Sequence, residues 1–179
     1  MGWAAEIVTS EFLWGIVLGV LLSIVAAYAS AEIQRRSQQK RVLNFAFDLT
    51  TNISEIVEQL EDIRTRTNII ENEFLELIMV EVSIYGRCRE HMVAIEDAGL
   101  RREIREYFTR IAAAVGVIRV DLRRLGENWV PTDVGATSQE AAERRARAEA
   151  ALAHARQRCD QLAEFVRRRS PDLVSKLSA

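Results

Sequence analysis

An uncharged run of 20 residues, 12–31, constrains this 179-residue chain more than any other feature of its sequence. At about 1.5 Å per residue, a helix of that length crosses the roughly 30 Å hydrocarbon core of a bilayer. Trp14 and Tyr28 lie near the two ends of the run, where aromatic rings favour the headgroup layers. The run therefore predicts an N-terminal transmembrane helix over residues 12–31, with the lipid bilayer as its partner.

The charges on either side of this run predict its orientation. Two glutamates precede it, and a basic juxtamembrane segment, residues 32–41, follows it. The basic side chains of this segment are Arg35, Arg36, Lys40 and Arg41. Cationic residues near a span stay on the cytoplasmic side. We therefore expect a short extracytoplasmic N-terminus, residues 1–11, and a C-terminal domain in the cytoplasm beneath the inner or plasma membrane.

A cleaved secretory signal is the alternative interpretation of the same run. Ala29, Ser30 and Ala31 resemble the small residues of a cleavage site. Such signals begin with a positively charged region, whereas Glu6 and Glu11 make this one acidic. An uncleaved span agrees better with these charges.

Small residues recur at every fourth position of the predicted span. The members of this ladder are Gly15, Gly19, Ser23 and Ala27. A spacing of four places them on one helical face, and small side chains allow membrane helices to approach closely. The ladder predicts a homo-oligomer, although Gly and Ala are also common in spans that do not associate.

The rest of the chain has the pattern of an all-α domain. Neither Gly nor Pro occurs in residues 22–84, and apolar residues follow alternating steps of three and four, as in packed helices. This seam predicts Leu60, Ile70, Phe74 and Leu77, among others, as core residues. Gly99 after Asp97-Ala98 indicates a helix stop, and Pro131 lies in the clearest loop. Ser170-Pro171 predicts the end of the last helix. Only two cysteines are present, too few for a disulfide framework.

These signals predict a cytoplasmic antiparallel bundle over residues 42–169 and a C-terminal tail over residues 170–179. Weak helix formers at Thr65 and Thr67 favour a break there. Four helices of similar length then result, with bounds 38–65, 68–97, 100–127 and 138–169. The alternative is one long helix over residues 38–97 with two shorter helices packed along it, because the heptad phase continues across the break.

Charge is divided between the two halves of this domain. Residues 42–97 carry 12 acidic and 4 basic side chains, whereas residues 98–179 carry 11 acidic and 16 basic ones. We expect oppositely charged helices to face each other, because complementary potentials set pairing preferences.

The most apolar part of the domain, residues 74–85, offers a candidate surface. Apolar residues there cover most of the helix circumference. Such a helix either packs against neighbours on two sides or presents a second face to another protein.

No motif for chemistry emerges from the chain. Its cysteines and histidines include the pair His154 and Cys159, whose five-residue step points the two side chains apart on a helix and so argues against zinc. No phosphate loop or nucleophile motif is present, so we predict no enzyme, cofactor or metal. The last helix is rich in arginine but lacks interleaved aromatic residues, which argues against nucleic acid.

The sequence thus predicts a single-pass membrane protein with a helical docking or scaffolding domain. We expect it to self-associate and to bind an unknown protein partner. The alternative is a signalling or membrane-perturbing effector, in which changes in the bundle pass to the membrane through the span.

Overall fold

The computed structural model describes the backbone of residues 3–67, 69–128 and 138–178. Side chains are described for Leu18 and for residues 21–67, 69–127 and 139–178. Four α-helices make up almost all of this, with bounds α1 Trp3–Thr67, α2 Asn72–Cys88, α3 Ala98–Asn128 and α4 Ser138–Ser178. A 3₁₀-helix, Arg89–Ala94, follows α2 directly. The described residues contain no strand, and the all-α prediction is confirmed.

The chain forms two compact units. The first unit, Met1–Arg41, contains the N-terminal part of α1. The second unit, Val42–Ala179, contains the rest of α1 together with α2, α3 and α4. All the packing contacts described below lie within this second unit.

Side-chain contacts between helices give the direction of each one. The α1–α4 ion pairs Glu61–Arg167 and Arg64–Asp160 run in opposite directions along the two helices, so α4 is antiparallel to α1. Tyr85 of α2 stacks on Phe108 of α3, and Glu76 of α2 lies 3.6 Å from Arg119 of α3. These two contacts also run in opposite directions along the helices, so α2 and α3 are antiparallel. The α3–α4 ion pairs Glu103–Lys176 and Asp121–Arg158 also run in opposite directions along their helices. Successive helices therefore alternate in direction, and the predicted helical bundle is confirmed.

The break between the first two bundle helices lies where the sequence predicts it. α1 ends at Thr67, and the Thr67 hydroxyl accepts a hydrogen bond from the Ile69 backbone N–H at 3.3 Å. Arg64 and Arg66 occupy the last turn, where cations favour the negative end of the helix dipole. The alternative of one helix over residues 38–97 is therefore wrong.

The start and the phase of α2 differ from the prediction. The helix begins at Asn72 rather than at residue 68, and its core residues are Leu75, Ile78 and Tyr85. The heptad continued from α1 instead predicts Leu77 as a core residue, yet Leu77 is 49% exposed. The non-helical connection allows α2 to rotate about its axis, so the phase set by α1 does not carry over.

Asp97, rather than Gly99, controls the junction between α2 and α3. The Asp97 carboxylate accepts hydrogen bonds from the backbone N–H groups of Gly99 at 2.7 Å and Leu100 at 3.1 Å. These are N-terminal donors that lack partners within the helix, and an Asp at this position satisfies them. Gly99 lies in the first turn of α3, so the prediction that it stops a helix is wrong.

The predicted C-terminal tail is helical and partly buried. α4 passes through Pro171 and ends at Ser178. Leu173 and Leu177 are each 4% exposed and belong to the core. Because these leucines bury apolar surface, packing compensates for the backbone hydrogen bond that a proline cannot donate. The prediction that the helix ends at Ser170-Pro171 is therefore wrong.

The seams of α3 and α4 agree with their heptads. Both helices bury residues at the expected steps of three and four. The buried members are Ile104, Phe108, Ile111, Val115 and Ile118 in α3, and Ala148, Ala155, Cys159, Leu162 and Val166 in α4.

Candidate functional site

The structure describes half of the small-residue ladder predicted in the membrane span. The side chains of Gly15 and Gly19 lie outside the described residues. Ser23 and Ala27 are exposed and lie one helical turn apart on α1. A step of four places these two residues on the same face.

In the part of the chain that the structure describes, no helix contains a stretch that is both long and apolar enough to span a bilayer. The side chains of residues 12–17, 19 and 20, which belong to the predicted span, lie outside that part.

The basic juxtamembrane segment is an exposed part of α1. The Arg36 Nε donates a hydrogen bond to Glu32 Oε1 at 2.8 Å, and Arg35 Nη1 lies 3.9 Å from the other carboxylate oxygen. Lys40 and Arg41 are exposed and form no ion pair with any described carboxylate. Glu32 therefore balances only part of the positive charge of this segment.

An open groove of about 270 Å³ lies between α2 and α3 in the second unit. Its lining combines apolar and charged side chains: Glu76, Met79, Val80, Ser83 and Arg87 from α2, and Arg119 from α3. Its volume is slightly below the range of about 300–1,000 Å³ that is typical of small-molecule sites. An open groove of this kind suits the side chains of a docked protein segment better than an enclosed ligand.

The outer face of α2 is unusually apolar for a surface helix. Leu77 is 49% exposed and Val80 is 52% exposed, and the two residues are one turn apart. They are exposed because the core of the bundle uses Leu75 and Ile78 instead. Neighbouring exposed apolar residues next to a groove are typical of protein interaction sites. This agrees with the sequence-based alternative that residues 74–85 present a second face.

A second cleft is too small for a substrate. It lies between α3 and α4, is lined by Tyr107 and Phe165 among others, and has a volume of about 30 Å³, enough for one or two waters. Beside it, the Tyr107 and Ser170 hydroxyls form a buried hydrogen bond of 2.7 Å. Burial raises the pKa of Tyr107, so it is protonated at neutral pH. We find no nucleophile and base arranged for catalysis in this cleft.

Metal-ligating groups do not converge in the described part of the chain. No three or more His, Cys, Asp or Glu side chains are placed there to hold a metal ion. Cys159 is buried, and burial raises the pKa of its thiol to about 11. Since the thiolate is the form that binds metals and attacks electrophiles, this cysteine is chemically inert at neutral pH.

Sequence reasoning missed a buried charge on α3. Asp121 is 4% exposed, and its Oδ2 lies 3.2 Å from Arg158 Nε of α4. The angle between these two groups does not fit a hydrogen bond, so Asp121 Oδ2 has an ion-pair partner but no hydrogen-bond donor. Asp121 directly precedes an apolar seam position, Leu122, and only the closeness of α4 explains why it is buried.

Comparisons with protein families, with curated proteins and with solved structures find no match for this chain. The juxtamembrane segment and the groove between α2 and α3 therefore have to be interpreted from their own residues. The first presents unbalanced positive charge, and the second presents an exposed apolar surface with charged margins.

Proposed function

We propose that this chain is a single-pass, membrane-anchored docking protein. Residues 12–31 cross the membrane, the N-terminus lies outside, and the helical bundle binds another protein on the cytoplasmic side. The observation that carries the proposal is the run of 20 uncharged residues followed at once by Arg35, Arg36, Lys40 and Arg41. A positive cluster of this kind after a span favours cytoplasmic retention.

The helical state of this region supports the anchor. α1 extends without interruption from Trp3 to Thr67, so residues 12–31 form backbone hydrogen bonds within one helix. Lipid offers no partners for backbone N–H and C=O groups, which is why spanning segments are helices or closed barrels.

The docking role is supported by the groove between α2 and α3. Leu77 and Val80 remain about half exposed beside it, although burying them in the core would stabilise the bundle by about 1 kcal/mol or more each. A surface of this kind gains stability when a partner covers it. No catalytic arrangement competes with this interpretation among the described residues.

A pair of topology reporters tests the anchor. A fluorescent protein fused to the C-terminus should be bright, and a periplasmic phosphatase fused at the same position should be inactive, because the bundle stays in the cytoplasm. A dark fluorescent fusion together with an active phosphatase would contradict the proposed orientation.

A matched pair of charge variants makes the topology test sharper. Replacing Arg35, Arg36, Lys40 and Arg41 with glutamine should increase the fraction of inverted molecules. Replacing four arginines of α4 with glutamine should not, because charges act on orientation within about 15–20 residues of the span. The four control positions are Arg144, Arg145, Arg147 and Arg168. Equal inversion by both sets would show that the juxtamembrane segment does not set the orientation.

A signalling or membrane-perturbing effector is the second candidate, and the continuity of α1 favours it. A single helix, Trp3–Thr67, contains both the predicted span and part of the bundle core, so a rotation of one part could reach the other. Inserting two alanines after Gln38 turns a helix by about 200°, whereas inserting seven residues restores the phase to within about 20°. An effector should cause growth arrest or dye leakage that only the two-residue insertion abolishes. A passive docking protein should cause neither.

A further inference from the structure

The buried seam of α4 contains a hydroxyl near its C-terminal end. Ser170 follows Val166 at a step of four and is 4% exposed. Its hydroxyl shares a 2.7 Å hydrogen bond with the Tyr107 hydroxyl of α3. Water replaces such a partner when two hydroxyls separate, so this bond holds the helix less strongly than a buried leucine would.

Pro171 weakens the backbone of α4 at the same place. This residue lies inside the helix and has no backbone N–H. The carbonyl of Arg167 therefore cannot accept the helical hydrogen bond from the residue four positions later. Fewer backbone bonds join residues 170–178 to the rest of α4 than join the other turns to one another.

Packing between α3 and α4 is also incomplete beside this pair. The cleft of about 30 Å³ is lined by Tyr107, Arg169 and Leu173, among others. Side chains that border unfilled space lose the contacts that close packing supplies. The polar seam position, the missing backbone bond and the cleft thus coincide at one level of the bundle.

Few contacts hold the helix beyond Pro171. Leu173 and Leu177 are buried, and they share one helical face because they are four residues apart. Lys176 Nζ lies 2.7 Å from Glu103 of α3, and these side chains are 43% and 42% exposed. Solvent and salt weaken an ion pair that is exposed to this extent.

We propose that residues 170–178 form a strap that opens as a unit about Pro171 while the rest of the bundle stays folded. Opening separates Ser170 from Tyr107 and Lys176 from Glu103, and it takes both leucines out of the core. The strap thereby controls access to an apolar surface beside Tyr107 that the closed bundle hides. Local opening of a weakly held segment is common in folded proteins. The inference goes beyond the proposed docking function and does not depend on the membrane anchor.

Cysteine labelling tests the strap in the full-length protein in detergent. The natural cysteines are replaced through Cys88→Ala and Cys159→Ala, and one new cysteine is introduced. Leu173→Cys and Leu177→Cys should react with a thiol reagent at rates within about threefold of each other, because a hinged strap exposes both together. Val166→Cys, in the seam before the hinge, should react at least about tenfold more slowly, because only global unfolding exposes it.

Hydrogen exchange followed by mass spectrometry provides a second measurement without any substitution. Backbone amides after Pro171 should exchange at a rate that depends little on denaturant, because opening of the strap exposes little surface. Amides near Leu162 should exchange at a rate that rises steeply with denaturant, because they require global unfolding.

Variants of the hinge and of the ion pair locate the cause of opening. Pro171→Ala restores the missing N–H and should slow labelling at both strap positions at least about tenfold. Ser175→Ala, an exposed change within the strap, is its control and should have little effect. Lys176→Gln should speed labelling about two- to fivefold. Arg168→Gln, whose ion pair with Glu164 lies within α4, should not change it.

Three results would overturn the proposal. Much faster labelling of Leu177→Cys than of Leu173→Cys would mean that the helix only frays from its end. Equal labelling of Leu173→Cys and Val166→Cys would mean that the strap leaves the core only when the whole bundle unfolds. Unchanged labelling in Pro171→Ala would mean that the proline is not the hinge. The topology reporters test the membrane anchor separately, so either proposal can fail without the other.

Discussion

The carboxylate of Asp121 is buried in α3, whereas the cations near it are exposed to solvent. The Asp121 side chain is 6% exposed, compared with 47% for Arg158 and 66% for Arg124. The two partners therefore differ in what their removal leaves behind. Loss of the carboxylate leaves an arginine that water can solvate, but loss of Arg158 leaves a buried charge with a weaker partner 3.9 Å away.

Arg158→Ala should therefore destabilise the bundle more than Asp121→Leu. We expect a loss of about 2 kcal/mol for Arg158→Ala, the cost of leaving a buried charged group unsatisfied. Asp121→Leu replaces the charge with an apolar group of similar size and should cost less than about 1 kcal/mol. Chemical denaturation followed by circular dichroism measures both. Arg168→Ala, which removes an exposed ion pair with Glu164, is the control and should cost less than about 0.5 kcal/mol. Equal losses for Arg158→Ala and the control would contradict this account.

Burial of Cys159 makes the bundle less stable as the pH rises into the alkaline range. Its thiol pKa is raised from 9.0 to about 11 by desolvation. In the unfolded chain the thiol loses its proton first, so rising pH favours unfolding. The stabilising contribution of the buried, protonated thiol is fully present below pH 9 and is lost as pH rises through about 11.

Cys159→Ala should remove this dependence. The difference in unfolding free energy between the natural protein and the variant should shrink by at most about 2 kcal/mol between pH 9 and 11. Burial also raises the pKa values of Tyr85 and Tyr107, but these residues are present in both proteins and cancel in the difference. Denaturation curves at pH 8, 9, 10 and 11 provide the measurement. A constant difference across this range would mean that the thiol titrates normally.

Among the helices, α4 departs most clearly from the sequence-based expectation. A Ser-Pro pair is typical of a helix end, yet Ser170 is 4% exposed and its hydroxyl is bonded to Tyr107. This contact and the ion pair between Lys176 and Glu103 hold the last turns against α3, and the two leucines beyond Pro171 are buried in the core. The local signal is correct about propensity, and tertiary packing overrides it.

Residues 170–178 should therefore contribute to the stability of the whole bundle. Leu177→Ala should lower the unfolding free energy by about 2–4 kcal/mol, as for other buried leucines. Ser175→Ala, an exposed change in the same turn region, should be nearly neutral. A chain that ends after Arg169 should unfold at lower denaturant than a chain that lacks only Ala179. An unchanged midpoint after the larger deletion would contradict the assignment of these residues to the core.

The groove between α2 and α3 depends on a second difference from the sequence-based prediction, which concerns the rotation of α2. The heptad of α1 continues smoothly through the sequence of α2, and it predicts Leu77 as buried. The break after Thr67 separates the two phases, and α2 uses Leu75, Ile78 and Tyr85 for the core. Tyr85 then stacks on Phe108 with ring centroids 4.1 Å apart. A stacked aromatic pair contributes about 0.5–1.5 kcal/mol beyond burial, which favours this rotation of α2 and leaves Leu77 exposed.

At the scale of the whole molecule, the division of charge bears on which helices face each other. In the ion pair Glu61–Arg167, the acidic half supplies the carboxylate and the basic half supplies the cation, as the division of charge predicts. In the ion pair Arg64–Asp160 these roles are exchanged. Exposed pairs of this kind contribute about 0–1 kcal/mol each. They select which helices face each other more than they stabilise the bundle.

Self-association through the predicted span is the property that Gly19→Ile tests. A bulky residue should prevent close approach of two helices at the small-residue ladder and weaken association in membranes by about 1 kcal/mol, or about fivefold. Val20→Ile adds one methylene group beside the ladder and should have little effect. Energy transfer between labelled copies in vesicles provides the measurement. The same transfer efficiency in both variants would show that this ladder does not join the copies.

The sequence by itself determined the helical class, the helix break near Thr67 and the seams of α3 and α4. These depend on local propensity and on a period of 3.6 residues, both of which can be seen in a single segment. The uncharged run and the basic segment behind it are visible in the same way.

Only the tertiary structure decided how each helix is rotated about its axis. The burial of Asp121, the continuation of α4 through Pro171 and the exposure of Leu77 all depend on side chains from another helix. The groove between α2 and α3 exists for the same reason, since Met79 and Arg119 meet there from distant parts of the chain. A helical period shows that one face is buried, but the partner helix determines how that face is oriented.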